Sequence, residues 1–302
     1  MWVLIDTLFL AHRARYSLRN MHTDDMSTGI LFDFFEQLYT ICTHPKIQSN
    51  KILIFIDSKR SWRKKKLPTY KGQRSANRTE EEWEQINIMH DQINILRKEL
   101  FPQLGIHVYG QTGLESDDLM AWAAKELTKR KENGVIITSD GDLCQCITPY
   151  VHWYDPMKRL YLDPKSFEKR KGVTPVQYAM VKALGGCSTD NVPGIKGVSE
   201  QSAIDYLFGR IPTHYKKYES IKTAESNGDI EKWKELVILP HYKTKPFNIQ
   251  KPQYNIKVFF EFCEKYEILS YLTDAGKKRW SKFFKNNIEK NKTRRRKNKT
   301  LL

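Results

Sequence analysis

The chain has 302 residues, with 51 Lys and Arg against 35 Asp and Glu, a formal net charge of +16. An apolar content of 40% with 12% aromatics excludes a disordered chain and leaves room for a sizeable core in one or two domains. The positive excess points to a polyanionic partner, nucleic acid above all. Five cysteines without paired C-x-x-C spacing argue against a disulfide framework or a structural zinc site, and for a reducing, cytoplasmic compartment. The first apolar run carries Asp6, has no basic stretch before it and is too short to span a membrane, so neither a signal peptide nor an anchor is expected.

In chain order, Val3-Leu4-Ile5-Asp6 reads as a buried strand closed by an aspartate, followed by a helical stretch with His12, Arg13 and Arg15. After a polar turn at Thr23-Asp24-Asp25, a second helix begins near Thr28-Gly29, with Leu31, Phe34, Phe35, Leu38 and Ile41 as its core face. Residues 51–56 form a second strand, closed by Asp57. The next stretch crowds Arg60, Arg63, Lys64, Lys65, Lys66, Lys71, Arg74 and Arg78 around Trp62 and Tyr70. Such a run is usually a solvated face, but cations interleaved with rings suit single-stranded nucleic acid.

Glu80 to about Leu100 has the apolar spacing of an amphipathic helix, through Trp83, Ile86, Met89, His90, Ile93, Leu96 and Leu100. Ile106–Tyr109 is a short strand, and Glu115-Ser116-Asp117-Asp118 opens a helix to about Lys131. The strand Val135–Ser139 ends in Asp140-Gly141-Asp142. Strands alternating with helices predict a mostly parallel α/β sheet. Residues 151–154 and 159–162 read as a hairpin, and a helix starts near Thr174-Pro175. It leads into a Gly/Pro-rich turn, Gly185–Ser199, whose backbone N–H groups suit a phosphate. Farther on, Val258, Phe259, Phe262, Tyr266 and Leu269 read as packing residues, and residues 290–302 as a disordered basic tail.

Asp6, Asp57, Glu115, Asp117, Asp118, Asp140, Asp142 and Asp190 all fall at element ends that a parallel sheet brings to one edge. Singly, Asp6 or Asp57 serves equally as a turn former, and Ser116 or Asp117 as a helix cap. Jointly they suit hard cations, Mg²⁺ or Mn²⁺, and a pair of such ions can clamp an in-line phosphoryl displacement. With no phosphate-cradling Gly-rich loop and no Ser/His/Asp arrangement, a nuclease is favoured over a kinase or ATPase.

Six stretches in order resemble the 5′→3′ exonuclease / flap endonuclease family, particularly its phage members and the 5′-nuclease domain of bacterial DNA polymerases. They are Leu4-Ile5-Asp6 with Arg13, Ile56-Asp57, Tyr70-Lys71-Gly72-Gln73-Arg74, Leu114–Asp118, Thr138–Asp142 and Ser188–Ala203. The resemblance is close over residues 1–205 and loose beyond.

It implies a PIN-like nuclease core over 1–170 with a helical arch at 58–105, and a helix–hairpin–helix DNA-binding domain over 171–289. It implies a first metal on Asp6, Asp57, Glu115 and Asp117, and a second on Asp140, Asp142 and Asp190, with Asp118 acting through water. Lys71 and Arg74 would steady the scissile phosphate, Arg13 would contact DNA, and Tyr70 would stack on a base. Gly194, Lys196 and Gly197 would grip duplex backbone, with K⁺ at the turn in some relatives.

The implied activity is cleavage at 5′ ends and 5′ flaps of DNA, extending to RNA primers in RNA–DNA hybrids, leaving 5′ phosphates during replication. The protein would act as a monomer, in the host cytoplasm if phage-encoded, with the tail available to a replication partner. Two departures stand out: Cys187 replaces a family aspartate beside the second metal, and Ser199 replaces the last glycine of the hairpin, where a positive φ would be strained. The first motivates an alternative, a structure-specific DNA-binding module with weakened catalysis. A ribonuclease of a related acidic-site fold is a further alternative.

Overall fold

The computed structural model describes residues 1–17, 21–23, 26–76 and 78–285. Asp24 and Asp25 of the polar turn, and the basic tail at 290–302, lie outside them. In chain order the elements are β1 (Trp2–Asp6), α1 (Thr7–Ser17), α2 (Gly29–Thr43), β2 (Lys51–Phe55), α3 (Trp62–Lys66), α4 (Gln73–Ala76) and α5 (Glu80–Ile95). There follow α6 (Phe101–Leu104), β3 (Val108–Tyr109), α7 (Ser116–Lys129), β4 (Gly134–Ile137), β5 (Val151–Asp155), β6 (Leu160–Leu162), α8 (Pro164–Lys171) and α9 (Pro175–Gly185). The last are α10 (Glu200–Leu207), α11 (Lys216–Ser226), α12 (Asp229–Val237), α13 (Ile256–Lys265), α14 (Leu269–Leu272) and α15 (Asp274–Phe284).

Backbone packing divides the chain into two compact units, each woven from separated stretches. The first comprises Met1–Ile56, Thr79–Tyr109 and the chain from Asn248; the second comprises Asp57–Arg78 and Gly110–Phe247. The strands are mostly parallel and flanked by helices, as the alternation predicts. In the first unit they run in the order β3-β2-β1, all parallel. In the second, β4 and β5 are parallel and β6 closes an antiparallel hairpin on β5. Strands buried on both faces read as continuous apolar runs rather than alternating ones, hence Val3-Leu4-Ile5, Ile52-Leu53-Ile54 and Val135-Ile136-Ile137, all fully buried.

In the first unit, α2 buries Leu31, Phe34, Phe35, Leu38 and Ile41, the expected stripe. Its aromatic end meets α13 and α15, where Phe259 contacts Phe35, Trp280 and Phe284 at 5.0–5.1 Å between ring centroids. The α5 helix starts on a Thr79–Glu82 capping box, which satisfies two N-terminal donors reciprocally. It buries Ile86, Met89 and Ile93 against Ala11, Ala14 and Ile30. Trp83, in the first turn, is 41% exposed, so the apolar face begins one turn later than its spacing suggests. Leu269 is also exposed, at the start of α14, whereas Phe262 and Tyr266 are buried as expected.

In the second unit, α9 begins on a Thr174–Gln177 capping box and ends at Gly186, φ +78°. The turn beyond folds back on it: Ile195 N–H donates to Leu184 O at 2.8 Å. Gly194, φ +63°, lies so close that a Cβ there would sit 2.3 Å from Gly186 N, which explains both glycines. Ser199 needs no positive φ. At φ −85° it is the N-cap of α10, its hydroxyl accepting from Ser202 N–H, so replacing glycine here adds a cap rather than strain. All five cysteines are free and buried.

Phe259 is fully buried between several rings. Phe259→Ala is expected to cost about 3–5 kcal/mol, as for large-to-small changes in aromatic cores. Urea unfolding of the two proteins measures it, and a loss below about 1 kcal/mol would show that the cluster collapses to fill the space.

Candidate active site

The second unit gathers most of the expected carboxylates. Asp57, just beyond β2, accepts Ser116 N–H at 2.7 Å and so caps the positive end of α7. Glu115 immediately precedes that helix. Its Oε2 is 2.6 Å from Lys71 Nζ and accepts from the Tyr70 hydroxyl at 3.1 Å. The same hydroxyl lies 2.8 Å from Asp190 Oδ2, while Arg74 Nη2 is 2.7 Å from Asp190 Oδ1. The segment Tyr70-Lys71-Gly72-Gln73-Arg74 therefore clips Glu115 and Asp190 together. Its backbone joins in, with Lys71 N–H donating to Asp190 O at 2.9 Å and Lys71 held at φ +54°.

Asp140 and Asp142 leave β4 on a tight turn, where Asp140 accepts Asp142 N–H at 2.8 Å. Asp142 is held from two sides: Lys182 Nζ lies 2.9 Å from Oδ1 and the Cys187 thiol donates to Oδ2 at 3.2 Å. Among the described residues, Asp142, Cys187 and Asp190 form a group whose ligand atoms all lie within 4.8 Å of one another.

The electrostatics follow from this crowding. Burial, then Asp142 and Asp190, pushes the Asp140 carboxyl up to about 6. Burial opposes the charge on Lys71 and on Lys182, but Glu115, Asp190 and Asp117 outweigh it at Lys71 and Asp142 does so at Lys182, so both are held protonated. Burial and Asp142 push the Cys187 thiol up to about 11, so it is a neutral donor where an aspartate would bring another negative charge. The carboxylates are hard oxygen donors with surplus negative charge and fit a divalent cation, with the protonated Cys187 thiol beside them.

Asp6 ends β1 in the first unit, where its Oδ1 accepts Leu8 N–H at 3.1 Å, and Arg13 is exposed on α1 of that unit. Asp117 is half-buried in the first turn of α7, near enough to Lys71 to favour its charge. Lys196 and Gly197 are exposed on the hairpin, whereas Gly194 is buried in it.

Two roles need correction. Tyr70 is 2% exposed with its hydroxyl between two carboxylates, so its ring is not free to stack on a base. Asp118 is fully buried and makes a two-pronged ion pair with Arg63 at 2.6 and 2.7 Å. It also accepts His241 N–H at 2.8 Å and Glu115 N–H at 3.2 Å, which leaves no oxygen lone pair for a metal or its water. Its charge is structural.

Lys182 and Arg63 were not singled out from the sequence. For Lys182 a signal existed, a single charge in the apolar run Tyr178–Leu184. For Arg63 there was none, since it is one base among many in its segment.

Residues 1–172 match the family model described as the 5′–3′ exonuclease N-terminal, resolvase-like domain. The chain belongs to the 5′–3′ exonuclease family. A 5′–3′ exonuclease of Buchnera aphidicola from Schizaphis graminum is 25% identical over 261 residues, covering 86% of this chain and 83% of that protein. The fold is similar to bacteriophage T5 5′-exonuclease with bound zinc, at TM-score 0.65 and 20% identity, covering 80% of this chain and 90% of that one. It is also similar to human GEN1 in complex with Holliday junction DNA, at TM-score 0.52 and 15% identity, covering 88% and 67%. As a member of this family the chain is a nuclease, a phosphodiester hydrolase.

Replacing Asp118 by Asn in this exonuclease leaves Arg63 buried without its counter-charge. A loss of about 3–5 kcal/mol is expected, whereas exchanging both residues for apolar ones of similar size should recover much of it. Although burial works against it, Arg63 holds the Asp118 carboxyl below the usual carboxylate range. That contribution is fully present above about pH 4 and is lost as pH falls through the lowered value. Urea unfolding between pH 2 and 7 should therefore show a steeper acid loss for wild type than for the doubly apolar variant, and equal slopes would refute the pairing.

Proposed function

We propose that this exonuclease is a structure-specific 5′ nuclease that cuts DNA at 5′ ends and 5′-flap junctions, with divalent ions held by Asp140, Asp142 and Asp190 and by Glu115 and Asp117 with Asp57. The observation that carries the reading is the packing of these carboxylates against Lys71, Arg74 and Lys182, an arrangement of opposed charges with an anionic substrate in prospect. When bound, such ions supply an activated water and a clamp for charge on the leaving oxygen. Lys71, Arg74 and Lys182, which face Glu115, Asp190 and Asp142, would offer positive charge to the phosphodiester beside such ions. The Tyr70 hydroxyl, kept protonated by burial and by Glu115 and Asp190, holds those two carboxylates in register throughout.

Asp6 joins the first set of ligands in this reading, and the residues at 58–105 act as the arch for a single-stranded flap. The hairpin at Gly194, Lys196 and Gly197 takes duplex backbone, with K⁺ as its counter-ion. Support for DNA comes from a T5 flap endonuclease similar in fold, which has been captured with DNA and metal ions. RNA primers in RNA–DNA hybrids, action as a monomer in the cytoplasm, and a replication partner at the basic tail complete the proposal.

Asp140→Asn removes a ligand but little of the cationic surface. Cleavage of a labelled 5′-flap duplex with Mg²⁺ is expected to fall at least a hundredfold while binding of the same DNA stays within about threefold. Binding lost in step with activity would remove Asp140 from the ligand set.

A second reading, a DNA-binding protein with weakened catalysis, is favoured by one observation: Cys187 stands as a neutral thiol against Asp142, with Lys182 already on the other oxygen. Cys187→Asp discriminates the two. If catalysis is limited by this site, the variant should reach half-maximal cleavage at a Mg²⁺ concentration several-fold lower than wild type. An unchanged titration would show that the thiol imposes no handicap.

A further inference from the structure

Apart from the acidic cluster, the second unit carries a cationic, aromatic cavity of about 260 Å³ between α3 and the segment Glu235–Lys243. Its wall is the indole of Trp62, packed so tightly on Gly113 that a Cβ there would fall 2.3 Å from Trp62 Nε1, with Trp62 N–H donating to Gly113 O at 2.9 Å. Two ammonium groups share that one ring, Lys243 at 3.6 Å and Lys65 at 4.5 Å from its centroid. Neither takes part in an ion pair among the described residues, whereas neighbouring Lys66 pairs with Glu235.

The segment is fixed in place. Arg63 Nε donates to Leu236 O at 2.8 Å, the Gln145 side chain donates to Val237 O at 3.0 Å and accepts from Leu239 N–H at 2.9 Å, and His241 N–H reaches Asp118. At the cavity's edge Tyr242 is 71% exposed, a large ring held out to solvent beside Lys243.

Two like charges held against one aromatic ring repel each other, and an anion bound beside them relieves that repulsion. A ring presented beside the pair has a use if the ligand brings an unstacked base. Duplex DNA hides its base faces, whereas a single strand offers each phosphate with a free base next to it. The cavity is below the usual range of drug-sized sites, about 300–1,000 Å³, which matches one phosphate and its sugar better than a whole folded ligand.

We propose that Lys65 and Lys243, held on Trp62, bind a backbone phosphate of the substrate's single-stranded segment, with the adjacent base stacked on Tyr242. This rests on the flap-nuclease reading and deepens it by naming where the unpaired strand is held.

Fluorescence anisotropy with the full chain, with Ca²⁺ replacing Mg²⁺, tests it on a labelled duplex bearing a 5′ oligothymidine flap and on the same duplex without the flap. Lys65→Ala/Lys243→Ala should weaken flap binding about tenfold and lower the slope of log K against log salt by about one. Tyr242→Ala, at an exposed position that leaves the fold intact, should weaken it about fivefold or more. Binding of the flapless duplex should stay within twofold in both variants. Equal losses on both DNAs, or unchanged flap affinity, would overturn the subsite. Failure of the wild type itself to prefer flapped over flapless DNA would instead overturn the reading on which it rests.

Discussion

Carboxylates brought close together repel one another, and the organisation of the second unit is an answer to that constraint. Asp140 bears the cost most openly, with its carboxyl pushed up to about 6 by burial and by Asp142 and Asp190. The others are compensated locally: Glu115 by Lys71, Asp190 by Arg74, Asp142 by Lys182 and the Cys187 thiol. The compensation is shared across the cluster, since Lys71 Nζ also lies 3.7 Å from Asp190. Offsetting charges of this kind let the carboxylates pack close together in the folded chain. Asp118 is paired differently, in a fully buried two-pronged contact with Arg63.

That contrast gives neighbouring residues opposite tasks. Glu115 is the N-cap of α7 and Asp117 and Asp118 lie in its first turn, where the helix dipole favours negative charge. The helical repeat turns Asp118 inward to Arg63 and to the backbone of His241, and leaves Glu115 toward Lys71 and Tyr70. One acidic run thus splits into a structural half and a chemical half. The pair Arg63–Asp118 also sets the position of the segment around Leu236–His241, so the frame of the acidic cluster and the floor of the Trp62 cavity are one piece of structure.

Tyr70 shows how burial changes what a side chain can do. In the open sequence it stands among bases and looks like a stacking platform. Folded, its ring lies in a cluster with Ala183, Cys187 and Leu236, and only its hydroxyl reaches the polar side. The exposed aromatic beside cations is instead Tyr242, over 170 residues away in the chain and unremarkable there.

The sequence by itself determined the strands, their carboxyl-terminal aspartates and the class of chemistry. Continuous β-branched runs can only be buried strands, and an acid closing each run is read without knowing its neighbours. The helix starts near Glu80 and Thr174 are legible for the same reason, because the signals that open a helix act over three or four residues. What only the tertiary structure decided is which charges meet. Whether Asp118 faces a metal or Arg63, whether Lys182 points to solvent or to Asp142, and whether Tyr70 or Tyr242 presents its ring depends on packing between segments 40 to 170 residues apart. Local pattern carries the period of an element and the identity of its ends. Electrostatic pairing depends on distance in space, and spacing along the chain does not encode it.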